Sequence, residues 1–285
     1  MVLQNLALGW EWLLIYGRSL RRSLSEFLNR SNEDSATADA VCRILREGRS
    51  LPGSARLVDV GAGPGRKIAL MGRCLAEVGT THVAFVEQDV SWQAELNQST
   101  RMLQKLGISS SLVGASFSTT EAHRLVKNAQ WVTVFHVAYD QRTTDALATL
   151  LSAALGPESV ALLTCEASCS DLAMLKRSLH TKLGVGVAAS CLDTLERSLK
   201  ASRFNVESRT ISGQSLAVSG GDQSAGWLQD LLLGQDGEYE RLDAEARRAT
   251  DKIITEHLHR KAFRLAIPDT CLIVTRHNRS SIHAS

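Results

Sequence analysis

Proline is scarce, at 4 residues in 285, and no low-complexity block or internal repeat interrupts the chain. Nothing in it marks a long disordered linker. The charge is nearly balanced, with a formal net of +2, and the short Arg18–Arg22 cluster is the only concentrated basic stretch. A nucleic-acid partner is therefore not expected. The 6 cysteines are scattered, and only Cys165 and Cys169 lie close. No His or Cys pair stands at metal-ligand spacing beside them, so no metal site is expected and the thiols read as reduced. No apolar run is long enough to cross a bilayer. The stretch "LQNLALGWEWLLIY" is short, is interrupted by Glu11 and has no basic residue before it, so it reads as an amphipathic helix. No membrane partner follows, and a cytoplasmic protein is expected. What remains, 44% hydrophobic and 22% charged residues, is an ordinary globular composition for one large α/β domain or a core with a smaller attachment.

Strand and helix patterns alternate from residue 51 onward. Candidate strands are Arg56–Val60, His82–Glu87, Ser109–Val113, Trp131–Val137, Ser159–Thr164, Phe204–Ile211 and Thr270–Thr275. Helical patterns fill most of the gaps, which argues for a parallel sheet with helices on both faces. Ahead of the first strand, residues 17–49 read as helical with a capped turn at "NRSNEDSAT". Residues 224–262 read as helix within the long interval before the last strand. The expected organisation is a helical substrate cap begun by residues 1–50, a core over 51–211, an insertion over 212–266 completing the cap, and a last core strand and tail over 267–285.

The most informative stretch is "LVDVGAGPGRKIALM", residues 57–71. A buried-strand run meets Gly61, Gly63 and Gly65 and then an apolar-periodic helix. Such a turn exposes backbone N–H groups and a helix N-terminus to a ligand at close range. The dinucleotide fingerprint G-x-G-x-x-G is not met, because the third glycine arrives one residue early and Arg66 stands where that pattern needs glycine. "VDVGAGPG" instead resembles the first motif of class I S-adenosylmethionine-dependent methyltransferases, hydrophobic-(D/E)-x-G-x-G-x-G, with Asp59 as its acid. Glu87 closes the second strand in "THVAFVEQD". A carboxylate there can accept hydrogen bonds from both ribose hydroxyls, and Glu87 resembles the family's acid that does so.

Over most of its length the chain also resembles histamine N-methyltransferase and its relatives. The matching stretches are "LRRSLSEFLNRSNEDS" (20–35), "LVGASFSTTEAHRL" (112–125), "WVTVFHVAYDQRTTDALATLLSAALG" (131–156), "SGGDQSAGWLQDLL" (219–232) and "DTCLIVTR" (269–276). The resemblance implies a Rossmann-like class I fold, with a seven-stranded, mostly parallel sheet in the order 3-2-1-4-5-7-6 and a helical cap. It implies S-adenosylmethionine as cofactor and places Thr119, with Ser116 or Ser118 as alternatives, near the adenine. It puts Glu33 where the family's glutamate holds the amine substrate. Departures are present: His136 replaces a glutamine near the substrate, Tyr139–Asp140 replaces a tyrosine pair, and Pro268 or Asp269 falls where the family has an asparagine. Leu20, Leu24 and Leu175 replace or adjoin the aromatic wall around an imidazole, and aromatics are only 5% of the chain. Histamine as substrate does not follow.

Methyl transfer from a sulfonium is an in-line displacement that needs an aligned lone pair. A protonated amine must first lose a proton, and His136 at a strand's end has the chemistry to accept it. Glu33 is expected to bind a cationic or N–H group, Asp269 to accept from an ammonium, and Tyr139 to line the pocket. Phe135 and Trp92 are expected against the adenosine. His257 and His259 sit two apart and do not share a helix face, which argues against a metal there. The expected activity is N-methylation of a small amine or heteroaromatic metabolite, a dipeptide or a natural-product intermediate, by a monomer or weak dimer. O-methylation and a non-catalytic methyltransferase-like subunit are the alternatives.

Overall fold

The computed structural model describes residues 21–47, 54–137, 141–184, 191–218, 226–234 and 237–277. The strands are β1 (Ala55–Val60), β2 (Thr80–Val86), β3 (Ser109–Val113), β4 (Trp131–Phe135), β5 (Val160–Glu166), β6 (Phe204–Ile211), β7 (Ser215–Ala217), β8 (Arg264–Ala266) and β9 (Asp269–Arg276). Seven of them form one sheet in the order β3-β2-β1-β4-β5-β9-β6. β1 to β5 pair in parallel, and β9 runs antiparallel to both β5 and β6. This is the order expected from the sequence, with the chain's ninth strand as the seventh member of the sheet.

A parallel sheet covered on both faces calls for strands apolar on both sides. β1 answers with Leu57, Val58 and Val60, all buried. On one face Val58, Val60, Ala84, Val86, Val132 and Val134 meet Ala122 and Val126 of the helix Thr120–Lys127 and the leucines of Gln141–Ala154 and Cys191–Ala201. On the other, Leu57 and Phe85 are buried, as are Ile68, Met71 and Leu75 of the helix Arg66–Glu77 and Leu96 and Leu103 of Gln93–Gln104. Each such side chain contributes about 1.5–3 kcal/mol of burial.

The topology decides which residues can meet. β1, β2 and β4 are parallel, so the residues that follow them (Gly61, Glu87 and His136) emerge at one edge of the sheet. β9 is antiparallel, so its first residue, Asp269, comes to that same edge opposite Glu166 of β5.

Three local features differ from the sequence reading. β4 ends at Phe135 rather than Val137, because His136 turns into the left-handed region at φ 55. The helix read over 224–262 is three helices, Trp227–Leu233, Glu238–Arg241 and Ala244–Arg260. Gly234 (φ 88) ends the first, and the Asp243 side chain caps the third by accepting from the N–H groups of Glu245 and Ala246. The insertion expected over 212–266 also contains β7 and β8, which pair with each other.

The chain divides into two compact units. One, residues 34–168, 188–214 and 268–285, holds the seven-stranded sheet. The other, residues 1–33, 169–187 and 215–267, has its own core, in which Leu172, Leu175 and Leu179 meet Trp227, Leu228 and Leu258. Among the described residues, no helix is long and apolar enough to cross a membrane.

Candidate functional site

The glycine turn is tied to the end of β2. Gly61 and Ala62 donate their N–H groups to the Val86 carbonyl at 2.8 and 3.3 Å. Gly63 donates to Glu87 Oε2 at 2.7 Å, and Asp89 donates to Oε1 at 2.8 Å. Burial pushes the Glu87 carboxyl up from its ordinary value, while the N–H groups of Asp89 and Gly63 work the other way. A carboxylate has about four lone-pair sites, so Glu87 retains acceptor capacity beyond the backbone bonds that fix it.

All three glycines lie in the left-handed region, at φ 68, 51 and 68 for Gly61, Gly63 and Gly65. Their reasons for being glycine differ. A Cβ on Gly61 would stand 2.5 Å from Val137 Cγ2, and one on Gly65 would meet Leu96 Cδ2 at 3.0 Å and Ser99 Cβ at 3.2 Å. Protein packing therefore accounts for these two, where the sequence suggested ligand approach for all. A Cβ on Gly63 would meet nothing within 4 Å. Gly63 alone opens onto space at the turn, which is the room a ligand bound against bare backbone requires.

Asp59 is buried, and its Oδ1 accepts a 2.7 Å hydrogen bond from Thr133 Oγ1. Burial raises its pKa to about 7, opposed by the Thr133 bond and by the Lys67 charge. Lys67 is the second residue of the helix leaving the glycine turn. Its Nζ lies 2.8 Å from Asp34 Oδ1 and 6.0 Å from the centre of the Phe135 ring. This nearly buried cation was not anticipated, and the apolar-periodic reading of "RKIALM" had no signal for it.

His136 follows β4 directly. Its N–H donates to the Thr164 carbonyl at 2.8 Å, adding one rung to the sheet, and its Nε2 lies 3.0 Å from Asp269 Oδ2. A left-handed non-glycine residue costs about 1–3 kcal/mol and persists where the surroundings over-determine it. Here they do. Asp269 is 1% exposed, and its Oδ2 also accepts from Gln214 Nε2 at 2.6 Å and Thr37 Oγ1 at 3.1 Å. Gln214 Oε1 accepts from the Asp269 N–H at 2.9 Å, and Gln214 Nε2 reaches Thr37 Oγ1 at 2.9 Å. An ionised carboxylate only accepts, so the neutral imidazole carries its proton on Nε2 and its lone pair on Nδ1. Asp269 is thus placed to orient His136, whereas the sequence suggested a direct substrate contact. Thr37 and Gln214 were missed, since neither carries a motif and they lie far from Asp269 in the chain.

The remaining expected residues are placed as follows. Phe135 ends β4, and Trp92 is buried at the end of the short 3-10 turn Val90–Trp92 that leads into Gln93–Gln104. The Thr119 hydroxyl caps the helix Thr120–Lys127, accepting from the Ala122 N–H at 3.3 Å and donating to the Ser116 carbonyl at 2.8 Å. Ser116 and Ser118 pair through their hydroxyls at 3.1 Å. Glu33 opens the helix Glu33–Glu47, is buried, and is the last residue of its segment of the second unit. Tyr139 lies outside the described residues.

No protein-family model matches the chain, and no curated protein matches it. Solved structures do. A cyclopropane-fatty-acyl-phospholipid synthase-like protein from Lactobacillus casei aligns at 14% identity with a TM-score of 0.54, over 85% of this chain and 91% of that one. The YcgJ protein of Bacillus subtilis aligns at 12% identity and TM-score 0.52, over 85% and 98%. A Bacillus halodurans protein described as a methyltransferase aligns at 13% and 0.50, over 82% and 96%. These likenesses do not single out the histamine N-methyltransferase relatives, and at such identities they speak to fold alone. With the strand order, the antiparallel β9 and the glycine turn after β1, they lead to one conclusion: this chain has the class I methyltransferase fold.

Proposed function

We propose that the protein is an S-adenosylmethionine-dependent methyltransferase acting on a small molecule, with N–H-bearing amines or heteroaromatics as the favoured acceptors. The observation that carries this reading is the 2.7 Å bond from the Gly63 N–H to Glu87. It joins an open glycine turn to a fixed carboxylate at the end of the neighbouring strand. Gly63 and its open space suit the methionine and ribose parts, Glu87 suits the two ribose hydroxyls, and Phe135 and Trp92 are proposed beside the adenosine. When bound, the cofactor supplies an electrophilic methyl group.

The chain's own residues supply position and proton handling. Glu87 is pre-organised by two backbone N–H groups, so little ordering remains to be done when hydroxyls arrive. Asp269 fixes the His136 ring and stabilises its protonated form by a charge-assisted hydrogen bond. In this reading the His136 imidazole is the proton acceptor, for a substrate N–H directly or through water. Glu33 is retained as the acceptor for the substrate's polar N–H end, on the sequence resemblance. The His136–Asp269 pair would serve an O–H acceptor equally, so O-methylation is the second reading that this observation favours.

Labelled S-adenosylmethionine offered with a panel of amines, heteroaromatics and phenols tests the proposal. Turnover with a subset, lost in His136→Ala and Glu33→Ala while S-adenosylhomocysteine still binds, is the expected result. Binding of NADH in place of S-adenosylhomocysteine, seen as a thermal shift, would overturn it.

A further inference from the structure

A second site lies toward the opposite ends of the same strands. In the register of β1, β2 and β3, Arg56 pairs with His82 and His82 with Ser109. Two residues on, Val58 pairs with Ala84 and Ala84 with Ser111. Side chains in register share a face, so these are two consecutive cross-strand rows on the face covered by the helix Thr120–Lys127. Arg124, Leu125 and Asn128, near that helix's end, complete the wall of a cleft of about 510 Å³. That volume lies within the about 300–1,000 Å³ typical of small-molecule sites. Arg56 is five residues before Gly61, about 16 Å along an extended strand, so the cleft does not belong to the glycine turn.

The polar groups of the cleft are organised. Ser109 Oγ donates to the Thr81 carbonyl at 2.9 Å, so toward His82 it acts as acceptor and takes the Nδ1 proton at 2.9 Å. His82 Nε2 then accepts from Ser111 Oγ at 3.1 Å. The two guanidinium groups differ. Arg124 spends Nε and Nη2 on Glu121, at 3.0 and 2.6 Å, and Glu121 itself does not line the cleft. Arg56 has its backbone N–H on Gln130 Oε1 at 2.7 Å and an exposed side chain. Among the described residues, no carboxylate lines the cleft. Its floor, at Val58, Ala84 and Leu125, is apolar. With the serine, histidine and Asn128 donors engaged within the protein, the exposed Arg56 guanidinium and the remaining edge of Arg124 are the groups left for a ligand. A cationic rim over an apolar floor selects one with an anionic group and a hydrophobic body.

We propose that this cleft is a binding site for an organic phosphate monoester, its phosphate held by Arg56 and the Arg124 edge and its body over Val58, Ala84 and Leu125. The site is separate from the one assigned to methyl transfer and stands whether or not that assignment does. His82 is a built-in reporter. Burial and the Arg56 charge both hold its pKa below the ordinary histidine value, and a dianion beside Arg56 would reverse the second effect.

The test titrates the full chain with phenyl phosphate and, separately, with inorganic phosphate, following the His82 ring by NMR. Saturable binding is expected, with phenyl phosphate tighter than inorganic phosphate and an upward shift of the His82 titration on saturation. Arg56→Gln should weaken phenyl phosphate by about tenfold or more, with unchanged melting temperature and unchanged S-adenosylhomocysteine affinity. Arg124→Gln should have a smaller effect, since Glu121 already engages that side chain. Absence of saturation, or equal affinity in wild type and both variants, overturns the proposal.

Discussion

Alanine placed at Gly61 and at Gly63 separates the two jobs that the turn performs. Both residues have positive φ, at 68 and 51, so each alanine carries a backbone cost of about 1–2 kcal/mol for a left-handed residue with a Cβ. At Gly63 nothing is added to that cost, because its Cβ would meet no atom within 4 Å. At Gly61 the new Cβ would stand 2.5 Å from Val137 Cγ2, and overpacking of that kind adds about 1–3 kcal/mol. Gly61→Ala is therefore expected to lose about 2–5 kcal/mol in urea unfolding, and Gly63→Ala about 1–2 kcal/mol. Ligand binding should run the opposite way. Gly63→Ala puts a methyl group where the cofactor is proposed to lie and should weaken S-adenosylhomocysteine about tenfold or more in calorimetry, a loss of about 1.4 kcal/mol. Equal stability of the two variants would refute the packing role of Gly61, and undiminished binding by Gly63→Ala would refute the assignment of Gly63 to the ligand.

Asp59 leads to a pH dependence of stability. Its folded pKa, about 7, is above the ordinary 3.8, so between roughly pH 4 and 7 the folded state holds a proton that the unfolded state has lost. This term lowers stability as pH rises through that window, by at most about 1.4 kcal/mol per pH unit. Asp59→Asn should flatten the slope in urea melts, and an unchanged slope would count against it. Asp269→Asn removes the charge on which His136, Gln214 and Thr37 converge. Turnover should fall about 100-fold or more with the S-adenosylhomocysteine Kd retained, and wild-type kcat would exclude the orienting role. His136→Gly should be more stable than His136→Ala by about 1 kcal/mol, because glycine relieves the left-handed backbone at φ 55. Equal melting temperatures would show that the position is unstrained.

The sheet was readable in the sequence because its signal is local. Apolar runs such as "LVDV" and "VTVF" mark buried parallel strands, and the glycine turn and Glu87 announce themselves by spacing within one βαβ unit. What was hidden depends on distance in the chain. Thr37, Gln214 and Asp269 converge across sequence separations of 232 and 55 residues, so no window contains them together. His136 was legible as a proton acceptor near the strand's end, but nothing in its local sequence announces its positive φ or its pairing with Asp269. Gly61 and Gly65 looked like ligand glycines, since Val137 and Leu96, which exclude their side chains, lie in other elements. β7 and β8 pair from the two ends of the late insertion, and each is too short to show a pattern alone.

Glu87, fixed beside Gly63, is proposed to receive the sugar of an S-adenosyl cofactor. Isothermal calorimetry of S-adenosylhomocysteine with the wild-type chain and with Glu87→Gln, alongside their melting curves, tests it most directly. One saturable site is expected in the wild type, and an affinity about 10- to 100-fold weaker in Glu87→Gln, from the loss of charge-assisted hydrogen bonds, in a protein that remains folded. No heat of binding in the wild type, or the same affinity in a folded Glu87→Gln, would contradict it.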